Sequence, residues 1–263
     1  MRALRVLKEV SLVAAEDTRT AQHLLSHYEI RAPITSLFEH NEEAKAEVIL
    51  DALQRGDVAL ISEAGTPGLS DPGYRLIVAA IEAGLPVVAV PGPSALTAAL
   101  VVSGLPTDGF VFLGFLPRKS SARRRLLSAC QAERRTLVAF ESPHRLREAL
   151  RDIYEALGDR QIAVAREMTK LFEQVIRGTV SEVMAHFCQE PPRGEITLVI
   201  GGAPEGEQPA WAEERVRASL AELLGGGASK SEAARLVAQQ ADWPRRKVYQ
   251  LAIDLSASGQ HEI

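Results

Sequence analysis

The sequence is organised around residues 58–73, VALISEAGTPGLSDPG. Its first four residues, 58–61, are apolar and predict a buried strand, and a helix is predicted over 73–83. Most strand-to-helix connections in α/β proteins have about 2–6 residues, whereas this one is longer and contains two prolines. Ligands of open parallel sheets bind at the carboxyl ends of the strands. The pattern therefore favours a functional loop. The alternative is a turn with only a structural role, in which Asp71 caps the helix.

A second stiff turn follows the same plan. Residues 86–90 predict an apolar strand, PGPSA occupies 91–95, and a helix is predicted over 95–102. Backbone N–H groups at such helix starts favour electron-rich ligand atoms. Because strands and helices alternate through residue 103, we predict an α/β fold with a parallel sheet and helices on its faces.

Composition excludes some classes of protein. The chain has 263 residues, of which 46% are hydrophobic, and its net charge of −4 argues against a uniformly basic surface but not against a local basic patch. No apolar run reaches the roughly 18 residues of a membrane span, and no signal-peptide pattern opens the chain. Cys130 and Cys188 match no metal spacing. We therefore predict a cytoplasmic protein with no metal site.

The element pattern predicts three domains. Residues 1–108 form an N-terminal α/β domain, 109–202 a second α/β domain with a mixed sheet, and 211–257 a small helical domain with helix-turn-helix rhythm. In the second domain, residues 172–177 predict a strand that pairs antiparallel with a neighbour. No G-x-G-x-x-G or G-x-S-x-G pattern occurs, so dinucleotide-binding and hydrolase functions are unsupported.

Two basic clusters are candidates for phosphate binding. Residues 118–135 contain seven basic residues and one acidic residue, and three basic residues open the last predicted helix. A solvated helix face is the alternative for the first cluster, and a helical cap without a ligand is the alternative for the second. The residues predicted to contact RNA are Arg118, Lys119, Arg123, Arg124, Arg125, Arg245, Arg246 and Lys247.

Six motifs stand in order along the chain: EDTR, SEAGTPGLSDPG, PGPSA, ESPH, REMTK and GEIT. With them the chain resembles the family of ribosomal RNA small subunit methyltransferase I, in the tetrapyrrole methylase superfamily. The resemblance implies two α/β domains with S-adenosylmethionine in the cleft between them, and a homodimer. It also implies methylation of a cytidine ribose 2′-hydroxyl, in ribosomal RNA or in the assembled small subunit.

The resemblance also implies which residues bind the methyl donor. The superfamily has a Gly-Asp-Pro loop where this chain has Gly65-Thr66-Pro67, so the usual carboxylate is missing. The donor-binding residues carried over by position are Thr66, Leu69, Ser94, Ala95, Phe140 and Thr197.

Members of the resembling family have a further strand and a Pro-x-Gly-Asn loop ahead of the helix that is predicted here over residues 1–10. That strand would lie centrally in the sheet and form one wall of the donor pocket. As written, the chain is therefore expected to fold poorly or to bind the donor weakly.

Methyl transfer to a hydroxyl depends on positioning and gains from a general base. Glu167 or Glu141 would accept the proton, while Arg166 or Lys170 would hold a phosphate or stabilise the alkoxide. An interdomain salt bridge is the alternative for each residue. The polar candidates at strand ends are Asp17, Arg19, Glu141, Arg166, Glu167 and Lys170.

Two other functions stay open. One is a methyltransferase of the same superfamily that acts on a tetrapyrrole, although the basic clusters favour RNA. The other is a non-catalytic RNA-binding or assembly protein.

Overall fold

The computed structural model describes residues 1–204, 211, 213–241 and 243–258. The chain divides into two compact units: Met1–Leu127 with Thr136–Gly201, and Ser128–Arg135 with the residues from Gly202 onward. The strands of the first unit are β1 (Leu12–Ala15), β2 (Ile34–Ser36), β3 (Val58–Ile61), β4 (Phe110–Phe115), β5 (Thr136–Glu141), β6 (Gln161–Arg166), β7 (Gln174–Thr179) and β8 (Ile196–Ile200). Its helices are α1 (Arg2–Glu9), α2 (Thr18–His27), α3 (Glu42–Leu53), α4 (Tyr74–Glu82), α5 (Ala95–Ser103), α6 (Ser120–Ala129, which ends in the second unit), α7 (Leu146–Leu157) and α8 (Val180–Gln189).

The first sheet is parallel, with the order β2-β1-β3. Successive residues of β1 face opposite sides of it: Val13 packs with Leu7 and Leu25, whereas Ala14 packs with Ile49 and Leu76. Helices therefore cover both faces, which confirms the parallel sheet with helices on its faces.

The strand predicted over residues 86–90 is wrong. These residues belong to no ladder of the described chain, and Val87 and Val88 are exposed by 48% and 67%. A cavity of about 410 Å³ separates them from the free edge of β3. An extended segment becomes a strand only where a second backbone lies within hydrogen-bond distance. The same cavity leaves β3 half-buried along its length, where the sequence predicted a buried strand.

We predict that a larger side chain at the cavity wall is tolerated. Ala80 of α4 is 6% exposed and lines the cavity, so Ala80→Leu should leave the free energy of unfolding unchanged or raise it by up to about 1 kcal/mol. The control is Ala99→Leu, because Ala99 is fully buried between α5 and the second sheet; overpacking there costs about 1–3 kcal/mol. Urea unfolding measures both. Equal losses in the two variants would contradict the prediction.

The second sheet is mixed, as predicted, with the order β4-β5-β8-β6-β7. β4 and β5 run parallel, and the other pairs are antiparallel. The antiparallel partner strand predicted over 172–177 is confirmed as β7.

Helix α5 connects the two halves of the first unit. It follows the first sheet in sequence, but its apolar face packs on the second sheet, where Leu96 and Leu100 meet Val138 and Val199. Both sheets therefore belong to one compact unit. The domain boundary between 108 and 109 stays a prediction.

The second unit contains the three helices predicted near the end of the sequence. They are α9 (Glu213–Gly225), α10 (Lys230–Ala241) and α11 (Arg245–Ser258). Val216 of α9, Val237 of α10 and Val248 of α11 are fully buried in a shared apolar core. Parts of residues 202–212, together with Asp242, lie outside the described residues.

Candidate active site

The two proline-containing turns meet. The Thr66 hydroxyl, in the loop between β3 and α4, donates a hydrogen bond of 3.3 Å to the Pro93 carbonyl, just ahead of α5. Thr66 and Leu69 stay exposed on this loop, Leu69 by 37%. The structure therefore places the predicted donor-binding residues of the first turn beside those of the second.

Glu42 fixes the far end of the first loop, and the sequence did not predict this role. Its carboxylate is buried and accepts N–H groups from Gly73, Arg75 and Leu76 at 3.0, 2.8 and 3.3 Å. These are the free amides of the α4 N-terminus, which a carboxylate stabilises through the helix dipole. Asp71 therefore does not cap α4, contrary to the alternative considered from the sequence.

Ser94 occupies the N-cap position of α5 without acting as a cap. Its side chain makes no hydrogen bond to the helix and none to any other group in the part of the chain that the structure describes. Ala95 follows it as the first residue of α5 and is half-buried. The Ser94 hydroxyl is therefore free to bind a ligand at this turn.

Phe140 and Thr197 are direct neighbours on the antiparallel strands β5 and β8. They point to the face of the second sheet that α5 covers. Phe140 packs on the apolar cluster that contains Leu96, a residue in the first turn of α5. Thr197 is buried and Phe140 half-buried. The structure thus brings these two predicted residues close to the start of α5.

Glu141 lies on the opposite face of the same sheet, because neighbouring residues on a strand alternate. Its carboxylate is buried 2.5 Å from the Arg145 guanidinium and accepts the Ser142 N–H at 2.7 Å. Burial raises the pKa of Glu141, although the Ser142 N–H and the Arg145 charge oppose that rise. The carboxylate is therefore half of a local ion pair with Arg145, four residues further along the chain, and not of the interdomain salt bridge that was the alternative from the sequence. It does not face the site beside Phe140.

Glu167 braces the site. Its carboxylate accepts the Glu195 N–H at 3.0 Å, while its own N–H donates to the Glu195 carbonyl at 3.0 Å. Gly194 has a φ of 76°, and a Cβ atom there would displace that carboxylate, so glycine is favoured at this position. The Glu195 N–H and Lys170 lower the pKa of Glu167, which makes it a poor proton acceptor.

Lys170 is held between two carboxylates and still reaches solvent. Its ammonium lies 3.2 Å from both Glu167 and Glu195, and its side chain is 44% exposed. Partial burial works to lower the pKa of Lys170, but hydrogen bonds to the two carboxylates outweigh it and raise the pKa. The nearby turn is strained, since Glu167 and Thr169 have φ of 49° and 69°. The Lys170 ammonium is thus held in position just after the carboxyl end of β6.

The other polar candidates at strand ends have local partners. Asp17 caps α2 by accepting the Arg19 and Thr20 N–H groups, and it pairs with the Arg19 guanidinium at 2.9 Å. Hydrogen bonds from Arg19 lower the pKa of Asp17 to about 2. Arg166 donates to the Gln174 side chain at 2.6 Å across β6 and β7. These contacts give each residue a structural role.

Asp71 is a further carboxylate of the site. It is half-buried in the loop between β3 and α4. Burial, then the charge of Glu16 and more weakly that of Glu195, raises the pKa of Asp71 to about 6, while a hydrogen bond from Ser62 opposes the rise. Groups from the ends of β1 and β3 and from the segment before β8 therefore surround it. In the sequence, Asp71 lies in the SDPG segment of the first loop, and this position is the feature that could have indicated a site residue.

Residues 1–184 match the tetrapyrrole (corrin/porphyrin) methylases. The chain belongs to this family.

Relatives of this methylase cover nearly the whole chain. It is 45% identical over 260 residues to the ribosomal RNA small subunit methyltransferase I of Synechocystis, which covers 98% of this chain and 93% of that protein. The protein of the same name from Thermotoga maritima is 50% identical over 203 residues, 77% of this chain and 91% of its own length. That of Escherichia coli O157:H7 is 43% identical over 96% of this chain and 89% of its length.

Two solved methyltransferases share the fold of this methylase. The cobalamin biosynthetic enzyme cobalt precorrin-4 methyltransferase superposes with a TM-score of 0.53 at 17% identity, over 76% of this chain and 87% of its own. Uroporphyrin-III-C-methyltransferase from Thermus thermophilus gives 0.52 at 22% identity, over 76% and 86%. This chain therefore has the α/β fold of these two enzymes.

The first basic cluster of the methylase divides into buried and exposed residues. Arg123 has a fully buried side chain 2.6 Å from Asp152, so it cannot contact RNA as the sequence predicted. Arg124 is half-exposed and pairs with Glu155 at 3.0 Å. Within the described ranges, Arg118, Lys119 and Arg125 are exposed with no carboxylate in ion-pair range. These three remain free for phosphate.

In the second unit of the methylase, the cations that open α11 are exposed and partly engaged. Arg245 donates to the Ser231 hydroxyl at 3.1 Å, and the Lys247 ammonium lies 4.1 Å from the centre of the Trp243 ring. Arg246 points to solvent. Among the described residues, no helix has the length and apolarity to cross a bilayer and no metal-binding cluster occurs.

We predict that the Ser94 hydroxyl serves binding and not folding. Ser94→Ala should change the free energy of unfolding by less than about 0.5 kcal/mol and weaken binding of S-adenosylmethionine about 3- to 10-fold, the effect of one hydrogen bond. Thr179→Ala is the matched control, since Thr179 forms a full capping box on α8; it should lose about 1 kcal/mol of stability and no donor affinity. Calorimetry and urea unfolding give the readouts, and a stability loss at Ser94 equal to that at Thr179 would count against the prediction.

We predict that ionisation of Asp71 lowers the free energy of unfolding as the pH rises. Because its pKa in the folded state, about 6, lies above the unfolded value of about 3.9, the folded state binds more protons, and this residue's contribution to stability falls as the pH rises from 4.5 to 7. The free energy of unfolding of the wild type should fall over that range relative to Asp71→Asn. Asp159→Asn is the control, because hydrogen bonds from Ser181 lower the pKa of Asp159 and its difference from the wild type should stay constant there. Parallel curves for Asp71→Asn and the wild type would refute the assignment.

Proposed function

We propose that this methylase transfers the methyl group of S-adenosylmethionine to the ribose 2′-hydroxyl of a cytidine in small-subunit ribosomal RNA. The observation that carries the proposal is the similarity to ribosomal RNA small subunit methyltransferase I, at 45% identity over 98% of this chain and 93% of the Synechocystis protein. The motifs SEAGTPGLSDPG, PGPSA, REMTK and GEIT support it, because the Thr66–Pro93 contact links the first two and the Glu167–Glu195 contact links the last two.

The residues at the two turns fit the donor. S-adenosylmethionine supplies a methyl group activated on a positively charged sulfonium. Asp71, with Glu16 and Glu195 near it, provides a negative field for such a cation. The Ser94 hydroxyl has no partner in the described chain and would bind a polar edge of the donor. Thr66, which stands where the superfamily has a carboxylate, ties the first turn to the second through Pro93.

Asp71 is the carboxylate best suited to accept the proton of a ribose hydroxyl. At pH 7 it is largely ionised, yet with a pKa of about 6 it is a stronger base than an ordinary aspartate. Glu141 is buried on the other face of the second sheet, and Glu167 is held by the Glu195 N–H. Lys170, half-exposed, would hold a phosphate of the RNA or stabilise the developing alkoxide.

The proposal extends to the setting of the reaction. The family resemblance supports a homodimer that acts in the cytoplasm, on free ribosomal RNA or on the assembled small subunit. The exposed cations Arg118, Lys119 and Arg125 on one side, and those that open α11 in the second unit, support an RNA substrate.

We expect the purified chain to transfer labelled methyl groups from S-adenosylmethionine to small-subunit ribosomal RNA or to small subunits. The label should map to one cytidine and survive in an alkali-resistant dinucleotide, as a 2′-O-methyl group does. Asp71→Asn should lower kcat about 10²- to 10⁴-fold and also weaken donor binding, because it removes one charge of the negative field at the sulfonium, while Asp159→Asn should retain both activity and donor affinity. A label on a base or on a tetrapyrrole, or donor binding without transfer to either RNA substrate, would overturn the proposal.

A further inference from the structure

Phe115 is an exposed aromatic residue on a rigid mount. Its side chain is 57% exposed, whereas the next residue, Leu116, is 1% exposed. The Leu116 N–H donates to the Phe140 carbonyl at 3.1 Å. The backbone on which Phe115 stands is thereby tied to the centre of the second sheet.

Two guanidinium groups fix the turn that follows, that of Arg123 fully buried and that of Arg145 half-buried. Arg145 donates to the Leu116 carbonyl and Arg123 to the Pro117 carbonyl, both at 3.3 Å. Each is in turn paired with a buried carboxylate, Arg145 with Glu141 and Arg123 with Asp152. Such charge-assisted contacts in a buried setting are strong and directional. These charged groups take no part in the proposed chemistry. Their contacts hold the segment 115–119 in one position.

A β-bulge determines where Phe115 points. Phe112 pairs with Val138, and the register then shifts so that Phe115, and not Gly114, pairs with Phe140. Gly114 absorbs the extra residue with a φ of 65°. Without the bulge, Phe115 would face the opposite side of the sheet from Phe112. With it, the Phe115 ring lies 5.4 Å from the Phe140 ring, on the side of the candidate active site.

The bulge also touches the loop between β3 and α4. A Cβ atom on Gly114 would lie 3.7 Å from the Ser70 hydroxyl, so this loop passes directly over the bulge. Phe115 therefore stands where the first loop and the second sheet meet, next to the proposed donor site.

Two free cations follow on the same segment. Arg118 and Lys119 are exposed, and within the described ranges neither has a carboxylate in ion-pair range. An exposed ring beside unpaired cations is the combination that binds single-stranded nucleic acid, in which a base stacks on the ring and the backbone phosphate meets the cations.

We propose that Phe115 is a stacking platform for an unpaired base of the RNA substrate, with Arg118 and Lys119 holding the adjoining phosphate. This rests on the proposed function for the identity of the substrate. The partner is single-stranded RNA at the mouth of the site, and the ion pairs Arg145–Glu141 and Arg123–Asp152 position the platform.

The test compares Phe115→Ala with Phe115→Trp. Base–aromatic stacking predicts that Phe115→Ala raises KM for the RNA about 5- to 150-fold, with donor affinity and melting temperature unchanged. Phe115→Trp should restore KM, because a larger ring stacks at least as well. The control is Phe110→Ala, which removes another exposed phenylalanine, 39% exposed at the opposite end of β4 from Phe115, and should leave KM unchanged.

A binding measurement separates this inference from the proposed function. A single-stranded RNA oligonucleotide carrying 2-aminopurine should lose fluorescence when the wild type binds it, and this quenching should be absent with Phe115→Ala and present with Phe115→Trp. If the wild type quenches the probe but methylates no RNA, the platform stands and the proposed function falls. If methylation is observed while Phe115→Ala keeps the wild-type KM and quenching, the platform is refuted. Loss of donor affinity or of a dimer in Phe115→Ala, with KM unaffected, would also overturn it.

Discussion

The site depends on one buried carboxylate, that of Glu42, at the start of the helix that precedes β3. It accepts hydrogen bonds from the amides that open α4, which have no partner within the helix, and so fixes the end of the loop that follows β3. In the loop that is fixed in this way, the Thr66 hydroxyl donates a hydrogen bond to the Pro93 carbonyl. A carboxylate in this position is stabilised by the helix dipole. Because the carboxylate is charged, the hydrogen bonds that it accepts are stronger than those between neutral groups. The geometry of the first turn, and through Pro93 that of the second, is therefore determined by a residue in neither.

A second arrangement brings the two halves of the larger unit together at this site. Helix α5 begins at Ser94 beside the first turn but packs its apolar face on the second sheet. Its N-terminus is thus held by both halves. On the second sheet, strand alternation separates two environments: Phe140 and Thr197 face α5 and the site, whereas Glu141 faces a buried set of charges behind it. The front of the sheet offers apolar and hydroxyl groups, and the back holds ion pairs that fix the turns.

Sequence patterns predicted the features that depend on neighbouring residues. The polar break after Val58–Ile61 and the helix predicted over 95–102 are local, and both are found where the periodicity and turn rules place them. Residues 86–90 have the same apolar composition as a strand but lack a backbone partner, which no local pattern reveals. Glu42 acts on amides 31 to 34 residues away, and Arg123 resembles its basic neighbours until its pairing with Asp152 is seen. The chain order of the motifs indicated the family, but the role of each polar residue depended on which face of a strand it occupies.

The free edge of β3 has a consequence for the behaviour of the protein in solution. β3 bonds to β1 on one side only, so every second residue turns its N–H and C=O groups toward the cavity, and those groups have no backbone partner among the described residues. Val87 and Val88, across the cavity, are exposed and apolar, and residues 86–90 carry no charge to repel a neighbour. An unprotected edge of this kind is a template on which a strand of another chain can pair. We therefore expect concentrated preparations of this protein to aggregate through β3, and a lysine introduced on that edge to oppose such pairing.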